Sequence, residues 1–241
     1  MTKAAILIDG GFFLKRLPTV RPDIDATDAI SIDKSIGQLV YSHLEHLQKL
    51  HGGETAYALL YRCFLYDAMP YVRRAHQPVS KKAIDYSKTD EAQLRLKLFD
   101  CLRRRANFAV RLGTVERERA WILREKSQNQ LLKREKKFDQ LTDDDFYPGF
   151  RQKAVDMRLG LDIASLTLKR QVDTIILVTG DSDFVPAAKL ARREGVKVVL
   201  DPLWQSVKPG LFEHIDGLRS GFGKPGKKQT VQSDIDEANN I

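Results

Sequence analysis

The stretch TGDSDF, residues 179–184, sets Asp181 and Asp183 one residue apart directly after the apolar run DTIILV (173–178). Two carboxylates at the end of a buried strand form either a turn that caps the next helix or part of a metal site. Asp9 ends a similar run, AAILID (4–9), ahead of Gly10 and Gly11. Asp67 closes TAYALLYRCFLYDA (55–68), and Asp201 closes VKVVLD (196–201). If these strands are parallel, all five acids share one edge of a sheet.

A further acid lies in RQKAVDMRLGLDIA. At about 100° per residue, Val155, Leu159, Ile163 and Leu166 share one helical face. Asp156 falls at the margin of that face and Asp162 at the opposite margin, so Asp156 is the better ligand. Carboxylates brought together raise one another's pKa and need a compensating cation. An all-oxygen set suits Mg²⁺ or Mn²⁺ better than zinc. Such a site activates water and clamps a phosphodiester. Lys153 is placed to neutralise phosphate charge, with Thr179 and Ser182 as supporting polar groups. Each acid also has a plain reading: Asp183 as the N-cap of helix 183–195, with Pro186 in its first turn, IDGG as a tight turn, and Asp156 as a solvated helical acid. Their shared address favours a site.

The elements that would position these acids alternate. After the first strand and a loop (20–28), apolar spacing predicts a helix over 31–50, stopped by HGGE. Residues 70–88 read as irregular and basic. Thr89 caps the next helix, whose acidic start and three closing arginines (Arg103, Arg104, Arg105) match the helix dipole. FAVRLGTV (108–115) reads as a third strand. Residues 116–150 are charge-dense and read as an inserted arm, helical to about Gln140. Its basic run LLKREKKF beside Trp121 lies over a substrate strand, or is simply solvated. Helix 151–170, strand 173–178, helix 183–195, strand 196–201 and a short helix near 210–218 follow. Residues 220–241 read as a disordered tail behind one domain, 1–219. Alternating strands and helices imply an α/β fold with a parallel sheet covered on both faces.

The net charge of +8 and pI near 9.4 suit a polyanionic partner. No apolar run reaches the roughly 20 residues a membrane span needs. The chain's start runs straight into a strand pattern, against a cleavable signal. Cys63 and Cys101, without CxxC spacing, read as buried thiols of a reducing cytoplasm. His43 and His46 share a helix face without partners for zinc and read as solvated. A Walker lysine loop and GxSxG are both absent.

At ILIDGGFF, LYRCFLYDAMP, RQKAVDMRLGLDIASL and VDTIILVTGDSDFVPAAKLARREGVKVVLDP the chain resembles the NYN domain family of PIN-like nucleases, in its LabA-like branch. The resemblance implies a three-layer α/β/α domain with strand order 3-2-1-4-5 and a divalent-metal ribonuclease site. By position its acids are Asp9, Asp156, Asp181 and Asp183, with Asp162 matching a further family acid. The family often carries Asn after the first Asp. Gly10 and Gly11 stand there in this chain, which removes one polar contact to phosphate. The leading expectation is an Mg²⁺- or Mn²⁺-dependent endoribonuclease. The alternative is a non-catalytic module that binds RNA or a nucleotide in the same cleft, with the insert recruiting a protein partner or a second copy. A pure protein scaffold is third.

Overall fold

A computed structural model describes residues 3–52 and 55–226. The first half contains β1 (Ala4–Asp9), α1 (Gly10–Val20), α2 (Ala29–His51), β2 (Leu60–Met69), β3 (Arg74–His76), β4 (Ala83–Asp85), α3 (Asp90–Arg103) and β5 (Phe108–Leu123). The second contains α4 (Glu125–Leu132), β6 (Phe146–Lys153), α5 (Val155–Leu168), β7 (Thr174–Val178), α6 (Val185–Arg193), β8 (Lys197–Asp201), α7 (Pro209–Phe212) and β9 (Gly217–Leu218). The main sheet runs β6-β5-β2-β1-β7-β8-β9, and β3 and β4 pair as a separate hairpin. Its parallel centre, β5-β2-β1-β7-β8, is the expected 3-2-1-4-5 order. The sheet holds seven strands because β6 and β9 add one at each edge.

β1 shows why both faces are covered. Successive side chains of a strand point to opposite faces. Ala4, Ile6 and Ile8 join one core with Phe13, Leu17, Ile36 and Phe99 from α1, α2 and α3. Ala5 and Leu7 join the other with Leu159, Ile163 and Ala188 from α5 and α6. Every position of β1 before Asp9 is buried. Thr89 caps α3 as expected, accepting from the Ala92 amide.

The structure corrects several local expectations. α1 follows β1 directly and was not anticipated, because Asp9-Gly-Gly reads locally as a turn. Residues 70–88 hold the β3–β4 hairpin. The region 116–150 is mainly an antiparallel ribbon: β5 continues past its pairing with β2, and β6 returns along it from Leu123↔Phe146 to Thr114↔Lys153. Only α4 is helical there, apart from short 3-10 turns. Charged residues with good helical propensity are here ordered by cross-strand pairs. Lys153 Nζ lies 2.6 Å from Glu116 and 3.4 Å from Glu118. Residues 151–153 are therefore strand, and α5 starts at Val155. Of the expected tail, Phe222 is buried against Phe13, and residues 227–241 lie outside the described ones.

His43 and His46 part company. His43 is 1% exposed and is bonded to the fully buried Asp201, 2.8 Å away; it is a core residue, not a solvated one. Cys63 is buried and Cys101 half-buried, and both are free thiols. Arg105 forms a two-pronged bond to Asp33, at 2.6 and 2.8 Å. Among the described residues no helix is long and apolar enough to cross a membrane.

Gly113 sits where β5 passes from its parallel to its antiparallel neighbour. A Cβ there would collide with the Lys153 carbonyl and stand 2.8 Å from Val155 Cγ2. Gly113→Ala should therefore destabilise the protein by roughly 1–3 kcal/mol, the usual cost of overpacking. Thermal melting checks this, and an unchanged melting temperature would show that the ribbon shifts freely.

Candidate active site

The ends of β1 and β7 meet where the strand order reverses, the place where open α/β sheets bind ligands. Ile8 pairs with Val178, so Asp9 and Thr179 leave the sheet side by side. Asp9 caps α1, accepting from the Phe12 amide at 3.0 Å, and takes a second bond from the Thr179 hydroxyl at 3.2 Å. Burial pushes the Asp9 carboxyl above its usual range. The bonds from Phe12 and Thr179 oppose that rise, and the charges of Asp156 and Asp67 add to it.

Asp156 lies in the first turn of α5. Burial raises its carboxyl too, followed by repulsion from Asp181 and Asp183. Asp156 is thus in electrostatic reach of Asp9 on one side and of Asp181 and Asp183 on the other. The expected cap moves by two residues: Asp181, not Asp183, caps the 3-10 turn Ser182–Phe184, accepting from the Asp183 amide at 3.0 Å. Asp183 is left exposed, and Ser182 is half-buried.

The other acids have structural partners. Asp162 accepts from the Tyr66 hydroxyl at 2.8 Å and from Arg111 at 3.1 Å, away from the cluster as its helical phase implied. Asp67 is buried and paired with Arg95. Asp201 accepts from His43 and from the amides of Leu203 and Gly221. Lys153 is exposed and engaged by two glutamates, in a strand and not a helical turn before Asp156. Gly10 is required by close approach: a Cβ would lie 2.8 Å from the Tyr66 carbonyl oxygen. A larger residue cannot occupy that position without moving β2.

Sequence reasoning missed three features here. Ala154, the residue before α5, has a left-handed backbone (φ 65°). Such strain in a non-glycine residue is held by its surroundings, here between β6 and α5, and nothing in KAVD signals it. Leu203 and Trp204 are also left-handed (φ 47° and 61°) in the loop after β8, tied down by Arg16 donating to the Leu203 carbonyl. Phe12 and Gln205 wall the switch point, since a Cβ on Gly180 would stand 2.7 Å from Phe12 and 3.0 Å from Gln205.

The donor chemistry fits a hard divalent cation, for four acids with two carboxyls raised by burial and repulsion form an electrostatic deficit that positive charge fills. The geometry is not that of an assembled site. Among the described residues no three His, Cys, Asp or Glu side chains form a group able to hold a metal ion. Asp9 is bonded to the Phe12 amide and the Thr179 hydroxyl, and Asp181 to the Asp183 amide.

The parallel 3-2-1-4-5 centre flanked by helices is consistent with the PIN-like nuclease class. The model of the NYN domain matches residues 72–203, more than half of the chain, and the chain belongs to the NYN domain family. Asp156, Asp181 and Asp183 fall within the matched span and Asp9 before it. An uncharacterized protein of Methanocaldococcus jannaschii is 36% identical over 55 residues, 23% of this chain and 23% of the archaeal protein's length. A crystal structure of a protein of unknown function from Vibrio parahaemolyticus is similar with a TM-score of 0.42 and 15% identity, covering 92% of this chain and 95% of that one.

Proposed function

We propose that this chain is a metal-dependent ribonuclease whose Asp9, Asp156, Asp181 and Asp183 hold Mg²⁺ or Mn²⁺ and cleave RNA phosphodiester bonds. What supports the reading is that Thr179, bonded to Asp9 and accepting from the Asp181 amide, ties the ends of β1 and β7 together, with Asp156 in electrostatic reach of Asp9, Asp181 and Asp183, in a chain of the NYN family. When bound, a divalent ion there would lower the pKa of water and neutralise charge on the phosphodiester. The chain's own residues divide the remaining work. Asp9 is held in place by the Phe12 amide and the Thr179 hydroxyl. Asp181 is oriented by the Asp183 amide. Phe12 and Gln205 limit access from the side of β8. Lys153 reaches phosphate only by leaving Glu116 and Glu118. Two free thiols agree with a reducing cytoplasm.

A labelled single-stranded RNA incubated with Mn²⁺ or with EDTA tests the reading. Cleavage should need Mn²⁺, and Asp181→Asn should slow it by on the order of 10²–10³-fold, the loss of a few kcal/mol of transition-state stabilisation. Cleavage that survives both EDTA and the substitution overturns it. Gly10 and Gly11, standing where the family often carries Asn, favour a second reading, a module that binds RNA without cutting it. That reading expects salt-dependent binding and no Mn²⁺-dependent product.

A further inference from the structure

The loop after β8 borders the acid cleft. Val178 pairs with Asp201 in the parallel sheet, so residues 179–183 and 202–205 leave the same edge side by side. The two segments touch: a Cβ on Gly180 would stand 3.0 Å from Gln205 Nε2. Gly180 itself lies between Asp181 and Thr179, and Thr179 is bonded to Asp9.

This loop is fixed in an unfavourable backbone. Leu203 and Trp204 are consecutive non-glycine residues with left-handed φ, 47° and 61°. Such conformations persist only where the surroundings impose them, and they cluster at active sites and ligand clamps. Here the imposing bonds come from several elements. Asp201 accepts from the Leu203 amide at 2.8 Å, and Arg16 donates to the Leu203 carbonyl at 2.9 Å. The Trp204 amide donates to the Ser220 hydroxyl at 3.2 Å, and the Gln205 amide to the Pro202 carbonyl at 2.8 Å.

What the loop presents is an indole. Trp204 is 43% exposed, yet its ring is anchored, with Nε1 donating to the Phe222 carbonyl at 2.9 Å. An aromatic ring that is held still and left open to solvent is what a stacked base needs. Positive charge stands beside it. Lys224 is exposed, and its Nζ lies 6.0 Å from the centre of the Trp204 ring. Arg16 uses its Nε and one terminal nitrogen on the Leu203 carbonyl, which leaves further N–H groups to donate. Among the described residues neither Arg16 nor Lys224 forms an ion pair, whereas Arg21, Arg95, Arg105 and Arg111 each do. Cations without a carboxylate partner offset the repulsion that the neighbouring acids exert on a phosphate chain.

We propose that Trp204 is a substrate-positioning residue, the platform on which one base of a single-stranded RNA stacks beside the acid cleft. Lys224 and Arg16 meet the phosphates of that nucleotide and its neighbour, and Gln205, the next residue in the loop, stands between the platform and Gly180. Aromatic stacking with a basic margin is the general means of holding single strands. The inference rests on the ribonuclease reading but concerns binding, which can be measured without catalysis.

The chain's two tryptophans make the test direct. In a Trp121→Phe background Trp204 is the sole indole, and in EDTA a single-stranded RNA should quench its emission, whereas the same strand carrying abasic sites should not. Fluorescence anisotropy with the labelled strand gives the affinity. Trp204→Leu should weaken binding roughly tenfold or more, and Trp204→Phe, which keeps a ring, should weaken it less. Lys224→Gln changes an exposed side chain and decides the matter if Trp204→Leu folds poorly: it should weaken binding several-fold and flatten its dependence on salt. Unquenched emission at saturating RNA, or wild-type affinity in Trp204→Leu, overturns the proposal. Weakened binding in a protein that never cleaves RNA supports the platform and overturns only the hydrolytic reading. Mn²⁺-dependent cleavage with unaltered binding in Trp204→Leu and Lys224→Gln does the reverse.

Discussion

Asp9→Asn is expected to slow Mn²⁺-dependent RNA cleavage by on the order of 10²–10³-fold, while the melting temperature in metal-free buffer stays the same or rises. Asparagine retains an oxygen for the Phe12 amide, so the cap of α1 survives. What disappears is a charge whose carboxyl is raised by burial and by repulsion from Asp156 and Asp67. A group whose folded pKa exceeds its unfolded value stabilises the fold below the unfolded pKa and loses that contribution as pH rises through the folded pKa. At neutral pH, Asp9 therefore costs stability, and removing its charge relieves the cluster. Mn²⁺ should raise the melting temperature of the wild type more than that of the variant, because the ion binds the folded acids. Wild-type cleavage by Asp9→Asn would remove Asp9 from the site. A large fall in its melting temperature would show that the carboxylate is structural.

Asp201→Ala should have the largest effect on stability. Asp201 is fully buried and serves three donors: His43 at 2.8 Å, the Leu203 amide at 2.8 Å and the Gly221 amide at 2.9 Å. Arg219 donates to His43 Nδ1 at 3.1 Å, and because a guanidinium cannot accept, His43 Nε2 is the donor to Asp201. Removing Asp201 strands an imidazole and two amides in the core. At about 1–3 kcal/mol for each buried donor left unpaired, the loss is on the order of 3–5 kcal/mol after partial relaxation. At roughly 2–4 °C per kcal/mol for a chain of this size, the melting temperature should fall by about 6–20 °C. Asp201→Asn keeps one acceptor and should cost less. A loss under about 1 kcal/mol in Asp201→Ala would mean that water replaces the carboxylate. RNA cleavage at low temperature should persist in either variant, since Asp201 lies outside the proposed metal set.

These two aspartates mark the boundary of what sequence conveyed. Both end apolar runs, and their local patterns are equivalent; only the family resemblance set Asp9 apart. The helical phase of the KAVD helix put Asp156 and Asp162 on different sides, and Asp162 does turn to Tyr66 and Arg111, because that relation lies within a few residues of one element. The strands of the parallel centre and the Thr89 cap were legible for the same reason. Their order was not written in their pattern; it came with the family resemblance. The ribbon at 116–153 was misread because Glu, Arg and Lys favour helix locally, whereas the pairs that order it join residues about 40 positions apart, as Lys153 and Glu116 do.

By itself, then, the sequence determined which faces are buried, where the acids leave the strands, and what charge the surface carries. These follow from periodicities of two and about 3.6 residues. Only the tertiary structure decided that Asp9 shares its charge environment with Asp156 while Asp201 is consumed by His43. It also tied Arg16 to Leu203, in the loop that carries Trp204. Those outcomes depend on contacts between residues far apart in the chain, 158 positions for His43 and Asp201, and no local pattern encodes such a distance.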